Sequence, residues 1–144
     1  SHVIPALIRK FYEAKINNYE AVSVWGTGNV FREFLHVDDM ADACVYLMNI
    51  DKKAYDNITD PMCSHINVGS SKDISIKDLA HLIAKITGFK GKIIFDTSKP
   101  DGTPKKLMDS KKLHKLGWAS KIDLEQGLTM VLKDFINNYA NIRE

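Results

Sequence analysis

The residues with the most chemical promise lie between Val24 and Asp39, in the run Val-Trp-Gly-Thr-Gly-Asn-Val-Phe-Arg-Glu-Phe-Leu-His-Val-Asp-Asp. A strand-like segment ends in a Gly-x-Gly turn with Trp25 just before it, and Arg32 opens the next extended run. An indole face stacks on flat or ring-shaped groups, and a guanidinium fork grips an anion such as phosphate through two parallel hydrogen bonds. One such group at each edge of a tight turn suits a ligand with both a ring and an anion, as a nucleotide sugar has. The same spacing also fits a buried hairpin anchor at Trp25 and a solvated strand-end charge at Arg32. The residues further along bear on that choice.

Such side chains need a scaffold. The 144 residues are the length of one domain, and 44% hydrophobic content supports an ordinary core. The 20 basic and 18 acidic residues are interspersed, with a net charge of +2, unlike the concentrated basic footprint of a nucleic-acid binder. Cys44 and Cys63 stand far apart, outside any Cys-x-x-Cys or His-rich setting. Neither a metal site nor a disulfide framework is indicated, and both are expected as buried thiols of a reducing compartment. No apolar run approaches the ~20 residues a bilayer span needs, and no signal-peptide pattern opens the chain, so a cytoplasmic protein without a membrane segment is expected. The start, Ser1-His2-Val3-Ile4-Pro5, lacks a Met and leads straight into a helix, as expected of a chain that begins inside a longer one.

Pro5 fits a first helical turn, and Ala6, Leu7, Phe11 and Ala14 form an apolar face up to about Lys15, where Asn17 and Asn18 break it. Residues 21–25 read as a short strand and residues 31–37 as a second extended run. Asp38 and Asp39 are expected to cap a helix in which Ala41, Val45 and Met48 share one face. Residues 51–61 read as a polar surface loop, and residues 65–70 as a strand running into a Gly-Ser turn. Ser75, with Asp78 three residues on, can cap a helix through Thr87 that carries Ile76, Leu79, Ile83 and Ile86 on one face and stops at Gly88. Residues 92–96 form a strand, and residues 97–106, with two prolines and a glycine, a loop of defined shape. A short helix runs from Asp109 or Ser110 to Leu116, and Leu124, Leu128, Val131, Phe135 and Tyr139 mark a last amphipathic one. The sum is a mixed α/β unit with its informative residues on loops.

Several strings bear a closer likeness. Ser-His-Val-Ile-Pro-Ala-Leu-Ile-Arg-Lys-Phe at 1–11, Val-Trp-Gly-Thr-Gly at 24–28 and Arg-Glu-Phe-Leu-His-Val-Asp-Asp-Met-Ala at 32–41 resemble the C-terminal part of the GDP-L-fucose synthase family, which are extended short-chain dehydrogenases/reductases. So do Ser-His-Ile-Asn-Val-Gly at 64–69 and Phe-Asp-x-Ser-Lys-Pro-Asp-Gly-Thr-Pro-x-Lys-Leu at 95–107. The resemblance implies an α/β fold in which residues 1–144 are the C-terminal substrate-binding domain, a small mixed sheet with several helices. The Rossmann half that binds NADP is absent from this chain. It also implies the activity: GDP-4-keto-6-deoxy-D-mannose is epimerised at C3 and C5, and its 4-keto group is then reduced by NADPH to give GDP-L-fucose.

In the family the epimerisation acid is the histidine of Ser-His-Val-Ile-Pro, here His2, which also lies beside the nicotinamide. An imidazole with an ordinary pKa of ~6.5 can donate a proton near neutrality. Substrate contacts carry over to Lys10, Trp25, Arg32 and Asp101, and the family implies a homodimer for the full enzyme. No Gly-x-x-Gly-x-x-Gly and no Tyr-x-x-x-Lys occur in the chain, and neither Cys44 nor Cys63 matches the family's cysteine base. The chain alone is therefore expected to be inactive. Two alternatives stand beside this reading: a related enzyme acting on another GDP-sugar such as a GDP-heptose, and a nucleotide-sugar-binding module without activity.

Overall fold

The structure, a computed structural model, describes residues 2–142, with only the backbone described from 140 to 142. By its internal contacts the chain divides into two compact units, Ser1–Phe31, Ile74–Lys105 and Glu125–Glu144 in one, and Arg32–Asp73 and Lys106–Leu124 in the other. Three short strands, β2 (Phe31–Glu33), β3 (Asp73–Ser75) and β5 (Lys105–Lys106), pair in the order β3-β2-β5.

The first unit is built on α1 (Val3–Ile16), β1 (Ala21–Trp25), α4 (Ile76–Thr87) and β4 (Lys92–Asp96). Pro5 sits in the first turn of α1, and Asn18, at φ 53°, takes the left-handed conformation that turns the chain out of it. Leu7, Ile8, Phe11 and Ala14 recur at helical spacing and are all buried. In α4 the Ser75 hydroxyl accepts the Asp78 N–H at 3.0 Å and its own O–H lies 2.6 Å from the Asp78 carboxylate, while Gly88 at φ 76° closes the far end. Leu79, Ala80 and Ile83 of that helix are buried, and Phe11 meets Phe89 with ring centroids 5.5 Å apart.

The strands β1 and β4 run parallel, with Trp25 opposite Asp96 at their carboxyl ends. Val22 and Val24 point into the core and Ser23 and Trp25 outward, the two-residue period of a strand with one buried face. In α6 (Leu124–Ile142), Leu128 and Leu132 are buried, and Tyr12 packs edge-on against Phe135 and Tyr139. Val131, expected on the buried face, is exposed because Leu132, one turn after Leu128, takes that place.

The second unit departs further from the sequence reading. The cap of α2 (Val37–Asn49) is His36, whose Nδ1 accepts the Asp38 N–H at 3.2 Å, and Asp38 and Asp39 lie inside the first turn. Asp39 is 2% exposed, and its carboxylate accepts the backbone N–H of Lys121 at 3.1 Å and of Ile122 at 2.9 Å. That carboxylate therefore ties down a distant segment. The expected buried face of Ala41, Val45 and Met48 is the solvent face. Ala43 is buried instead, in a cluster with Leu113 and Trp118 that Leu35, Tyr46, Leu47, Ile66 and Val68 surround.

Residues 65–70 form no strand: Ile66 and Val68 pack on that cluster without a backbone ladder, and the Asn67 side chain donates to the Asp109 carbonyl. The loop expected at residues 51–61 contains a short helix, α3 (Lys52–Asp56), because Asp51 accepts the N–H groups of Lys53 and Ala54. The last short helix, α5 (Lys111–Lys115), ends where Gly117 takes φ 97°. Cys44 is exposed and Cys63 half-buried, so neither is the buried thiol that composition suggested.

Candidate functional site

Trp25 is the last residue of β1, and its outward register leaves it 68% exposed. Parallel strands gather their ligands beyond their carboxyl ends, and Trp25 and Asp96 mark that edge here. From α1, the Lys10 ammonium donates to the Ser23 carbonyl at 3.0 Å and stands 5.8 Å from the Trp25 ring centroid. The Lys99 ammonium stands at the same 5.8 Å. An exposed indole with two cations near its ring is a platform for a ring that carries negative charge.

The turn after Trp25 explains why two glycines flank Thr27. Gly26 has φ +82°, and a Cβ there would meet Asp101 Oδ1 at 2.3 Å. Gly28 has φ +79°, and a Cβ there would meet the Phe95 ring at 2.7 Å. The Asp101 carboxylate reaches into this space and accepts the Thr27 N–H at 2.9 Å and its hydroxyl at 2.7 Å. The Gly26 N–H donates to the Asp96 carbonyl at 2.9 Å, and the start of α4 holds the rest of the turn through Lys77 N–H to the Gly28 carbonyl at 2.9 Å and Ile76 N–H to the Val30 carbonyl at 3.0 Å.

Lys10, Trp25 and Asp101, expected at one site from the sequence, are thus in one unit and linked through the end of β1. Asp101 has a defined first duty, holding Thr27, and keeps further lone pairs on the same two oxygens. His2 stands at the cap position of α1, exposed, with its carbonyl accepting the Ala6 N–H at 3.2 Å; its imidazole does not cap the helix. It precedes Lys10 by eight residues of one helix, about 12 Å along the axis. Arg32 is the middle residue of β2, half-buried, and belongs to the second unit.

The Gly26-Thr27-Gly28 turn does not fit the pyrophosphate of a dinucleotide. A pyrophosphate cradle needs open backbone N–H groups in its Gly-x-Gly turn. Here the Asp101 carboxylate already takes the Thr27 N–H and fills the space over Gly26.

Sequence reasoning missed three side chains. Lys99 could have been found from the Asp96-Thr97-Ser98 turn that directs it. Glu33 accepts the N–H of Ser71 at 2.6 Å and of Met108 at 2.9 Å, and Gly69 is its signal, since a Cβ there would meet Glu33 Oε1 at 2.5 Å. Asp39 gave no signal apart from its resemblance to a cap. Asp96 is held below the ordinary carboxylate range, first by the Ser98 hydroxyl, then by the Ser98 N–H, with Lys99 adding a smaller attraction.

The chain is similar to known proteins over most of its length. Residues 1–69 match the NAD dependent epimerase/dehydratase family. A GDP-mannoheptose C4 reductase from Campylobacter jejuni, solved with NADP bound, superposes with a TM-score of 0.79 at 39% identity, over 95% of this chain and 45% of its own. The fold is that of part of an extended short-chain dehydrogenase/reductase. Within that class the likeness is to the GDP-L-fucose synthases. The Escherichia coli enzyme is 51% identical over 99% of this chain, and a putative GDP-L-fucose synthase from Arabidopsis thaliana 53% identical over 100%. The chain spans 44% and 41% of the length of those two relatives.

Proposed function

We propose that this chain is the C-terminal, substrate-binding part of an NADP-dependent enzyme that epimerises C3 and C5 of GDP-4-keto-6-deoxy-D-mannose and reduces the 4-keto group to give GDP-L-fucose. The observation that carries this reading is the exposed indole of Trp25 with the Lys10 ammonium beside it, at the carboxyl edge of parallel strands. It stands in a chain that matches GDP-L-fucose synthases along its whole length.

In this reading Trp25 receives a ring of the GDP-sugar and Lys10 neutralises its diphosphate, and Arg32, in the other unit, keeps only the anion-binding role that the resemblance implies. Asp101 shapes the turn and offers its remaining lone pairs to hydroxyls. His2 is the acid of the epimerisation. A proton leaves the carbon next to the ketone, the electron pair passes into the enolate, and the imidazolium returns a proton to that carbon on the other face. NADPH, when bound to the whole enzyme, would supply the hydride for the later reduction. Apart from His2 beside the nicotinamide, its binding residues, the reductive acid and the epimerisation base belong in this reading to an N-terminal domain, and so these 144 residues alone do not turn over. A cytoplasmic homodimer is part of the same reading and rests on the resemblance alone.

The test is the enzyme that carries this segment together with its dinucleotide domain, given GDP-4-keto-6-deoxymannose in heavy water. Deuterium uptake at C3 and C5 and loss of NADPH are followed separately. His2→Asn should abolish the exchange at the step it serves while NADPH still binds, and unchanged exchange would remove the assignment. The likeness to a GDP-mannoheptose C4 reductase favours a second reading, reduction of a GDP-heptose without epimerisation. It predicts NADPH loss with a GDP-4-keto-heptose and no deuterium uptake.

A further inference from the structure

Lys99 is the charged neighbour of Trp25 to which nothing above gives a role, and the local backbone explains why it is there. The parallel register sets Asp96 opposite Trp25. The Asp96 carboxylate accepts the Ser98 N–H at 3.1 Å and the Ser98 hydroxyl at 2.6 Å, and the Asp96 carbonyl accepts the Lys99 N–H at 3.2 Å. This tight turn folds residue 99 back across the strand end, and its ammonium stands 5.8 Å from the indole centroid. Lys10 arrives at the same ring from another element, at the same distance.

The two ammonium groups are not equivalent. Lys10 is anchored by the Ser23 carbonyl, whereas the Lys99 ammonium makes no hydrogen bond or ion pair with the described residues. Asp96 is its near carboxylate, and that group is already committed to Ser98. Asp101 is likewise committed to Thr27. Lys99 is therefore held near the ring by a weak cation–π contact and a minor attraction to Asp96. A charge-assisted hydrogen bond to phosphate is stronger than that contact at an exposed site.

We propose that Lys99 is a second phosphate ligand of this site and acts with Lys10 on the diphosphate of a nucleotide whose ring lies on Trp25. The proposal rests on the nucleotide-sugar reading above and deepens it. Two ammonium groups on one platform can each take a separate phosphate group, so nucleoside diphosphates are preferred over monophosphates, and both over the nucleoside.

The experiment titrates guanosine, GMP and GDP separately into the enzyme that carries this segment together with its dinucleotide domain, following calorimetric heat. Wild type should bind GDP several-fold tighter than GMP. Lys99→Gln should weaken GDP by about 5- to 10-fold and guanosine by less than twofold, with Lys99→Arg restoring most of the loss. Circular dichroism spectra of the variants should match that of wild type, because Lys99 is exposed. If Lys99→Gln leaves GDP affinity unchanged while Lys10→Gln or Trp25→Ala weakens it, the role of Lys99 is refuted and the nucleotide site stands. If wild type shows no saturable response to millimolar GDP, the nucleotide-sugar reading fails and the role of Lys99 with it.

Discussion

Gly26→Ala should be costly for two separable reasons. At φ +82° an L-residue is strained, which costs about 1–2 kcal/mol. The new Cβ would also lie 2.3 Å from Asp101 Oδ1, while the Asp101 backbone is clear of it at 3.8 Å. The side chain must therefore swing away and release both its bonds to Thr27. At an exposed position each is worth about 0.5–1 kcal/mol, so the loss is about 1–2 kcal/mol. Gly26→Ala then costs about 2–4 kcal/mol in total. Asp101→Ala removes the same two bonds and costs about 1–2 kcal/mol. In the Asp101→Ala background the clash is gone, and Gly26→Ala should cost only the backbone strain. Urea unfolding of the four proteins, read as midpoint and slope by circular dichroism, gives the coupling of the pair. The expected coupling is about 1–2 kcal/mol. Equal cost of Gly26→Ala in both backgrounds, or a cost under about 0.5 kcal/mol in wild type, would refute the view that Asp101 and Gly26 share one space.

Asp42 accepts the indole N–H of Trp118 at 2.8 Å and the Lys121 ammonium at 3.0 Å, and the first of these does most to hold its carboxyl below the ordinary range. Since the folded chain holds this proton less tightly than the unfolded one, the stabilisation is present above the ordinary carboxylate pKa of ~4 and is lost as pH falls through the depressed value. Urea midpoints between pH 6 and pH 2 should fall less steeply for Asp42→Asn than for wild type, and parallel curves would contradict this. Met48, 85% exposed on α2, should accept Lys with a stability change within about 0.5 kcal/mol, and a loss above about 2 kcal/mol in the same titration would show that this face is packed.

Legibility from sequence followed how local the determining physics is. The strands β1 and β4 and the helix α4 are written in short-range signals: alternation at Val22 and Val24, the Ser75 cap, and the Gly88 stop. The second unit was read poorly because its decisive contacts span long sequence distances. Asp39 looks like a cap beside its own helix and instead binds Lys121 and Ile122, more than 80 residues away. The face of α2 was misread because Ala41, Val45 and Met48 are as periodic as a core face, while Ala43 is the residue that meets Leu113 and Trp118. At the candidate site, Trp25 was read as a residue type, and Lys10 and Asp101 only as a likeness. That Asp101 fills the Gly26 turn, and that Lys99 returns to the Trp25 ring, both depend on the parallel register of β1 and β4, which no local pattern encodes.

The most direct measurement is the indole N–H region of a nitrogen-15 NMR spectrum of the chain during a GDP titration. The two tryptophans give two signals, one from the exposed Trp25 and one from Trp118, which is 3% exposed and donates to Asp42. The Trp25 signal should shift progressively and saturate, and the Trp118 signal should stay in place. A stationary Trp25 signal at saturating GDP, or a shift confined to Trp118, would contradict a nucleotide site built on the end of β1.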